Sequence, residues 1–140
     1  MRAWDKTYPS KAQLRLETAA MRQSILQTLL EFVKADNLEG VYAKGSSLKP
    51  WDSPLDYVPE LSDVDVQVLL KDDSPLQDPP NALAFADRME RRFHRQIAKP
   101  LHLPRPQIQL LSSRVESYGP KSRRSDPPRA ALRGACAAFR

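Results

Sequence analysis

An α+β fold, with two long helices docked on a small sheet, is what this sequence predicts. Two stripes of apolar residues at helical spacing flank a strict two-residue alternation in Asp63-Val64-Asp65-Val66-Gln67-Val68. The first element opens at Ser10-Lys11-Ala12-Gln13, the Ser-x-x-Gln form of a capping box, in which side chains satisfy the orphan amides of a helix start. Leu14, Met21, Ile25, Leu29, Phe32 and Val33 then recur at steps that suit a helix from about 11 to 35, with Asn37 as its stop. Val41, Tyr42 and Ala43 form a short strand-prone run that leads into Gly45-Ser46-Ser47 and Leu48-Lys49-Pro50-Trp51, read as strand, tight turn and short helix. Residues 52–61, DSPLDYVPEL, follow neither period and carry two prolines and three acids, so they form a loop or an extended insertion.

In residues 63–70, DVDVQVLL, Val64, Val66, Val68 and Leu70 share one face and Asp63, Asp65 and Gln67 the other, as a half-buried strand requires. Asp78-Pro79-Pro80 leads into the second helix, with Leu83, Ala86, Met89, Phe93 and Ile97 as its buried stripe and Pro100 beyond its end. Residues 107–111, QIQLL, alternate again and give a further strand. The organisation is one domain over residues 1–113 and a Pro/Arg/Ala-rich basic tail over 114–140, expected to be disordered.

Charge separates the two parts. Residues 1–112 hold fifteen Lys/Arg against fifteen Asp/Glu, so the whole +5 belongs to the last 28 residues. The basic balance therefore says nothing of a nucleic-acid-binding domain, although the tail itself is a candidate tether for nucleic acid through counterion release. The tail's composition also resembles out-of-frame coding sequence, which carries the expectation of a longer natural chain. A single cysteine, Cys136, closes no internal disulfide, and the first residues lack a secretory apolar core, so a cytoplasmic location is expected. No stretch has the roughly twenty apolar residues of a membrane span. His94 and His102 are too far from other ligand types to suggest zinc.

Chemistry concentrates at two places. Asp63 and Asp65, two apart on a strand, point to the same side with their carboxylates close together, and a divalent cation is the natural compensator. Magnesium suits such hard oxygen ligands, because it takes one or two protein carboxylates and completes its shell with water and substrate phosphates. Gly45 and Ser46 follow a strand and open a short helix, where leading amides without internal partners can receive phosphate oxygens; Lys49, one turn on, adds a mobile positive charge. Taken singly, a Gly-Ser pair is usually a turn and an Asp-x-Asp a solvated edge. Their order along the chain makes them a compound signal.

The string AKGSSLK followed by SDVDVQVLL resembles the signature of the DNA polymerase beta-like nucleotidyltransferase superfamily, particularly its minimal bacterial members. The resemblance covers about residues 38–71 and, more loosely, 11–112. It implies a small mixed sheet flanked by helices, the polymerase beta-like palm, and transfer of a nucleoside monophosphate from a nucleoside triphosphate to a hydroxyl acceptor, with pyrophosphate leaving. It further implies that Gly45 and Ser46 sit on the triphosphate, Lys49 in the basic helical position, and Asp63 and Asp65 on two Mg2+ ions brought with the nucleotide, ATP being the expected donor.

Two departures shape the reading. Sixteen residues lie between Ser46 and Asp63, more than is usual in the family, and the extra segment brings Trp51 and Tyr57 beside the site, either stacking on a base or capping the core. The family's third carboxylate, on a later strand, is expected where Gln109 stands; Glu116 is the nearest acid downstream. A degenerate domain that binds nucleotide or a partner protein, as in a toxin and antitoxin pair, is the alternative. Arg88, Arg91, Arg92, Arg95 and Lys99 give the second helix a basic side, read as a solvated face rather than an RNA-binding one.

Overall fold

A computed structural model describes residues 9–112, so the tail expectation, Glu116 and Cys136 lie outside the described residues. The fold is α+β: helix α1 (Lys11–Phe32), strand β1 (Leu38–Lys44), strand β2 (Asp63–Leu70), helix α2 (Pro79–Gln96) and strand β3 (Arg105–Ser112). The sheet is mixed and its order is β1-β2-β3, with β1 antiparallel and β3 parallel to the central β2.

Helix α1 begins where the capping residues place it, with Ser10 Oγ accepting the Gln13 N–H at 3.2 Å. The Gln13 side chain also turns along the helix, its Nε2 donating to Glu17 Oε1 at 3.0 Å. The helix ends at Phe32, earlier than the expected 35, and a single 3-10 turn over Ala35–Asn37 follows. Val33, the residue after the helix, is already extended at φ −120° and ψ 128°. Beyond it, Asn37 Oδ1 accepts the Asp72 N–H at 2.7 Å, which ties the start of β1 to the end of β2.

Met21, Ile25, Leu29 and Val33 pack against Val64, Val66, Val68 and Leu70 of β2 and against Phe85, Met89 and Phe93 of α2. Both helices thus cover one face of the sheet. The expected stripe of α2 is corrected in part: Leu83 is 74% exposed and Ala86 is exposed, while Phe85 is buried. Phe85, Met89 and Phe93 form one four-residue row, and burying the large Phe85 ring turns Leu83 and Ala86 out to solvent. The buried side of α1 also contains Ser24 and Thr28, whose hydroxyls donate to the carbonyls of Ala20 at 2.8 Å and Ser24 at 2.7 Å, so neither is buried unsatisfied. No helix of the described residues is long and apolar enough to cross a membrane.

Candidate functional site

The alternation of β2 turns Asp63, Asp65 and Gln67 to the face that the helices do not cover. Register then decides their neighbours. Across the sheet, Asp65 lies between Lys44 on β1 and Gln107 on β3, Gln67 lies between Tyr42 and Gln109, and Asp63 lies beside Arg105. The strand neighbour of Asp65 is therefore Gln107. Gln109 sits one pair further along, where its Oε1 accepts a bond from Gln67 Nε2 at 2.9 Å. The β3 residue beside Asp65 is thus a neutral amide, as is the one beside Gln67.

Gly45 follows β1 directly and adopts φ 81°, a left-handed backbone that favours glycine. A Cβ built there would overlap the Asp65 carboxylate oxygen and lie 3.2 Å from Asp65 Cγ. The Gly-Ser turn and the second aspartate are therefore in contact, with Gly45 the only residue type that lets them approach so closely. Ser46 begins a 3-10 turn, Ser46–Leu48, in place of the expected short helix; it is closed by Leu48 N–H to the Gly45 carbonyl at 3.2 Å, and Lys49 N–H follows onto the Ser46 carbonyl at 3.3 Å. The turn's leading amides have no partner within it. Ser47 is 2% exposed, and its Oγ has no hydrogen-bond partner. Lys49 is exposed, and its carbonyl accepts Arg15 NH2 at 3.0 Å.

Trp51 and Tyr57 cap the core. Their rings stack at 4.6 Å and 20°, both are buried, and with Leu14 they form a second small core. The Arg15 guanidinium lies 4.4 Å from the centre of the Trp51 ring, and Lys11 Nζ donates to the Trp51 carbonyl at 3.1 Å. Trp51 Nε1 donates to the Ser46 carbonyl at 2.7 Å, so the long insertion is fastened to the Gly-Ser turn itself. The outer side of the pair borders a cavity of about 320 Å³ that Lys11, Pro54 and Pro59 help to line.

Sequence reading did not single out a buried polar chain behind this cap. Glu17 is fully buried on α1 and accepts hydrogen bonds from the backbone of Leu101 at 2.6 Å and His102 at 3.2 Å, and it pairs with His102 Nδ1. His102 Nε2 in turn meets Tyr57 Oη at 3.0 Å. Burial pushes the Glu17 carboxyl upward, but the bonds from Gln13, Leu101 and His102 outweigh it and hold Glu17 below the ordinary value of 4.5. Burial, with Glu17 and Asp63 nearby, pushes the Tyr57 phenol up from 10.0 to about 12. Burial and then Arg15 push the Arg22 guanidinium down, and Arg22 NH1 is buried without a partner. The available signal was Glu17 itself, an acid three residues after Leu14 on the buried face of α1.

Arg105 was also missed. Its Nε donates to Asp63 Oδ1 at 3.0 Å, and its NH2 lies 2.9 Å from the same oxygen. The basic residues of α2 are largely engaged: Arg88 and Arg92 pair with Glu31 of α1 and Arg91 with Asp87.

Among the described residues no group of three or more His, Cys, Asp or Glu gathers as a cation cluster. Magnesium does not require one, since two carboxylates and the phosphates of a substrate can complete its shell. The hard oxygens of Asp63 and Asp65, and the close approach of Gly45 to Asp65, fit such an ion. Comparison of the chain with protein-family models, curated proteins and solved structures finds no match.

Proposed function

We propose that this protein is a nucleotidyltransferase that transfers a nucleoside monophosphate from a nucleoside triphosphate, with ATP as the expected donor, to a hydroxyl acceptor. One observation carries the reading: Gly45 lies against the Asp65 carboxylate, so a phosphate on the Gly45-Ser46 turn and a cation on Asp65 would be neighbours. Asp63 and Asp65 would hold Mg2+, and the backbone of Gly45 and Ser46 would receive triphosphate oxygens, with the Ser46 hydroxyl as a further donor. Bound Mg2+ would neutralise charge on the triphosphate and acidify the acceptor hydroxyl. Lys44, the β1 residue opposite Asp65, is a further candidate for the basic position beside the expected Lys49. The open sheet face gives the acceptor room to approach.

Gln107 beside Asp65 favours a second reading, in which the domain binds nucleotide without transferring it, or completes its acid set with a partner protein. A neutral amide cannot serve as the base that takes the acceptor's proton. The two readings separate in a titration of Mg2+ and ATP into the protein and into Asp65→Asn, with binding and pyrophosphate release followed together. Metal-dependent binding and turnover that both vanish in the variant are expected for the transferase. Binding without turnover supports the second reading, and no binding overturns both.

A further inference from the structure

Arg105 opens β3 beside Asp63 in the parallel register. Pro106 follows it, and the clash of a proline ring with the preceding residue restricts Arg105 to extended backbone, as its place in β3 requires. Its guanidinium meets Asp63 Oδ1 through both Nε and NH2, and NH2 also donates to the Leu61 carbonyl at 3.0 Å. Asp63 is therefore not a bare carboxylate waiting for an ion. It already has a counter-ion, held by a strand on one side and a main-chain carbonyl on the other.

The same carboxylate oxygen cannot give its full charge to a guanidinium and to a divalent cation, and two cations crowded on one aspartate repel each other. We propose that Arg105 is a resident counter-ion of Asp63 that a divalent cation must displace, so that the strand pair acts as a latch on cation entry. This rests on the nucleotidyltransferase reading of the Asp63–Asp65 pair. It adds that the protein without nucleotide binds the cation weakly because of its own arginine.

The test is Mn2+ alone, titrated into the full chain without nucleotide, with free Mn2+ read by electron paramagnetic resonance. Arg105→Gln should tighten Mn2+ binding about five- to tenfold, since both the competing pair and the repulsion are removed. Arg105→Lys, which can still pair with Asp63, should stay near the parent. In an Asp63→Asn background, where only the repulsion is left to relieve, Arg105→Gln should bring less than half of that gain. An unchanged or weaker affinity in a natively melting Arg105→Gln, or a gain that survives Asp63→Asn undiminished, overturns the latch and leaves the nucleotidyltransferase reading standing.

A second measurement needs no variant. The Nε–H resonance of Arg105 in the parent protein should move as Mg2+ saturates the site, and a resonance that stays fixed through saturation overturns the proposal. Absence of any saturable Mn2+ binding, in the parent and in Arg105→Gln alike, overturns the latch together with the cation reading beneath it.

Discussion

At the scale of single residues, Gly45 carries the closest constraint in the site. Its φ of 81° and the carboxylate in the space a Cβ would fill mean that Gly45→Ala meets two penalties, one from the backbone and one from Asp65. The expected cost is about 1–3 kcal/mol of stability, measured by urea unfolding. A larger relative loss should appear in ATP binding, because Asp65 must move from the turn it touches. A variant as stable and as tightly binding as the parent would remove Gly45 from the proposed site. The sequence marks Gly45, Asp63 and Asp65 through spacing alone, since strand alternation fixes which side chains share a face. It cannot mark Arg105, because the partner of Asp63 depends on the register between β2 and β3, 42 residues apart. The same dependence sets Gln107 beside Asp65 and Gln109 beside Gln67.

At the scale of elements, the insertion between the Gly-Ser turn and β2 behaves as a fastened cap. Trp51 stacks on Tyr57, receives Arg15 on its ring and donates to the Ser46 carbonyl, so its ring supports both the α1 surface and the turn. Trp51→Ala should cost about 3–5 kcal/mol as a large buried aromatic. Trp51→Phe preserves a ring for the stack but removes the donor to Ser46, and should cost about 1 kcal/mol for that bond. If the turn depends on this fastening, Trp51→Phe weakens ATP binding by more than its loss of thermal stability accounts for, which calorimetry on the same samples would measure. Element boundaries were legible where local chemistry sets them: Ser10 starts α1, Pro79 starts α2, and the valine alternation delimits β2. The buried face was not legible where distant contacts decide, as on α2, where the core selects Phe85 over Leu83.

At the scale of the whole molecule, the Glu17–His102–Tyr57 chain joins α1, the insertion and the connection that precedes β3, and it gives stability a limit at each end of the pH range. Glu17 titrates below its ordinary 4.5 because the folded state favours its carboxylate. That contribution is complete above the unfolded value and is lost as the pH falls below 4.5 and through the lower folded value. Tyr57 has the opposite sign. Its phenol is raised from 10.0 to about 12, so the folded state favours the neutral form; the contribution is complete below pH 10 and is lost as the pH rises from 10 to 12. Urea unfolding across pH 3–12 should therefore give a plateau with a fall on each side. Tyr57→Phe cannot ionise, so it should lower the plateau by about 1 kcal/mol through the lost bond to His102 and flatten the alkaline fall. Glu17→Gln should flatten the acid fall while lowering the plateau further, since the amide would turn a donor or a weaker acceptor toward the Leu101 and His102 N–H groups. An alkaline fall unchanged in Tyr57→Phe would mean that the loss above pH 10 comes from groups outside this chain, and that the insertion is held by its aromatic stack rather than by the buried phenol.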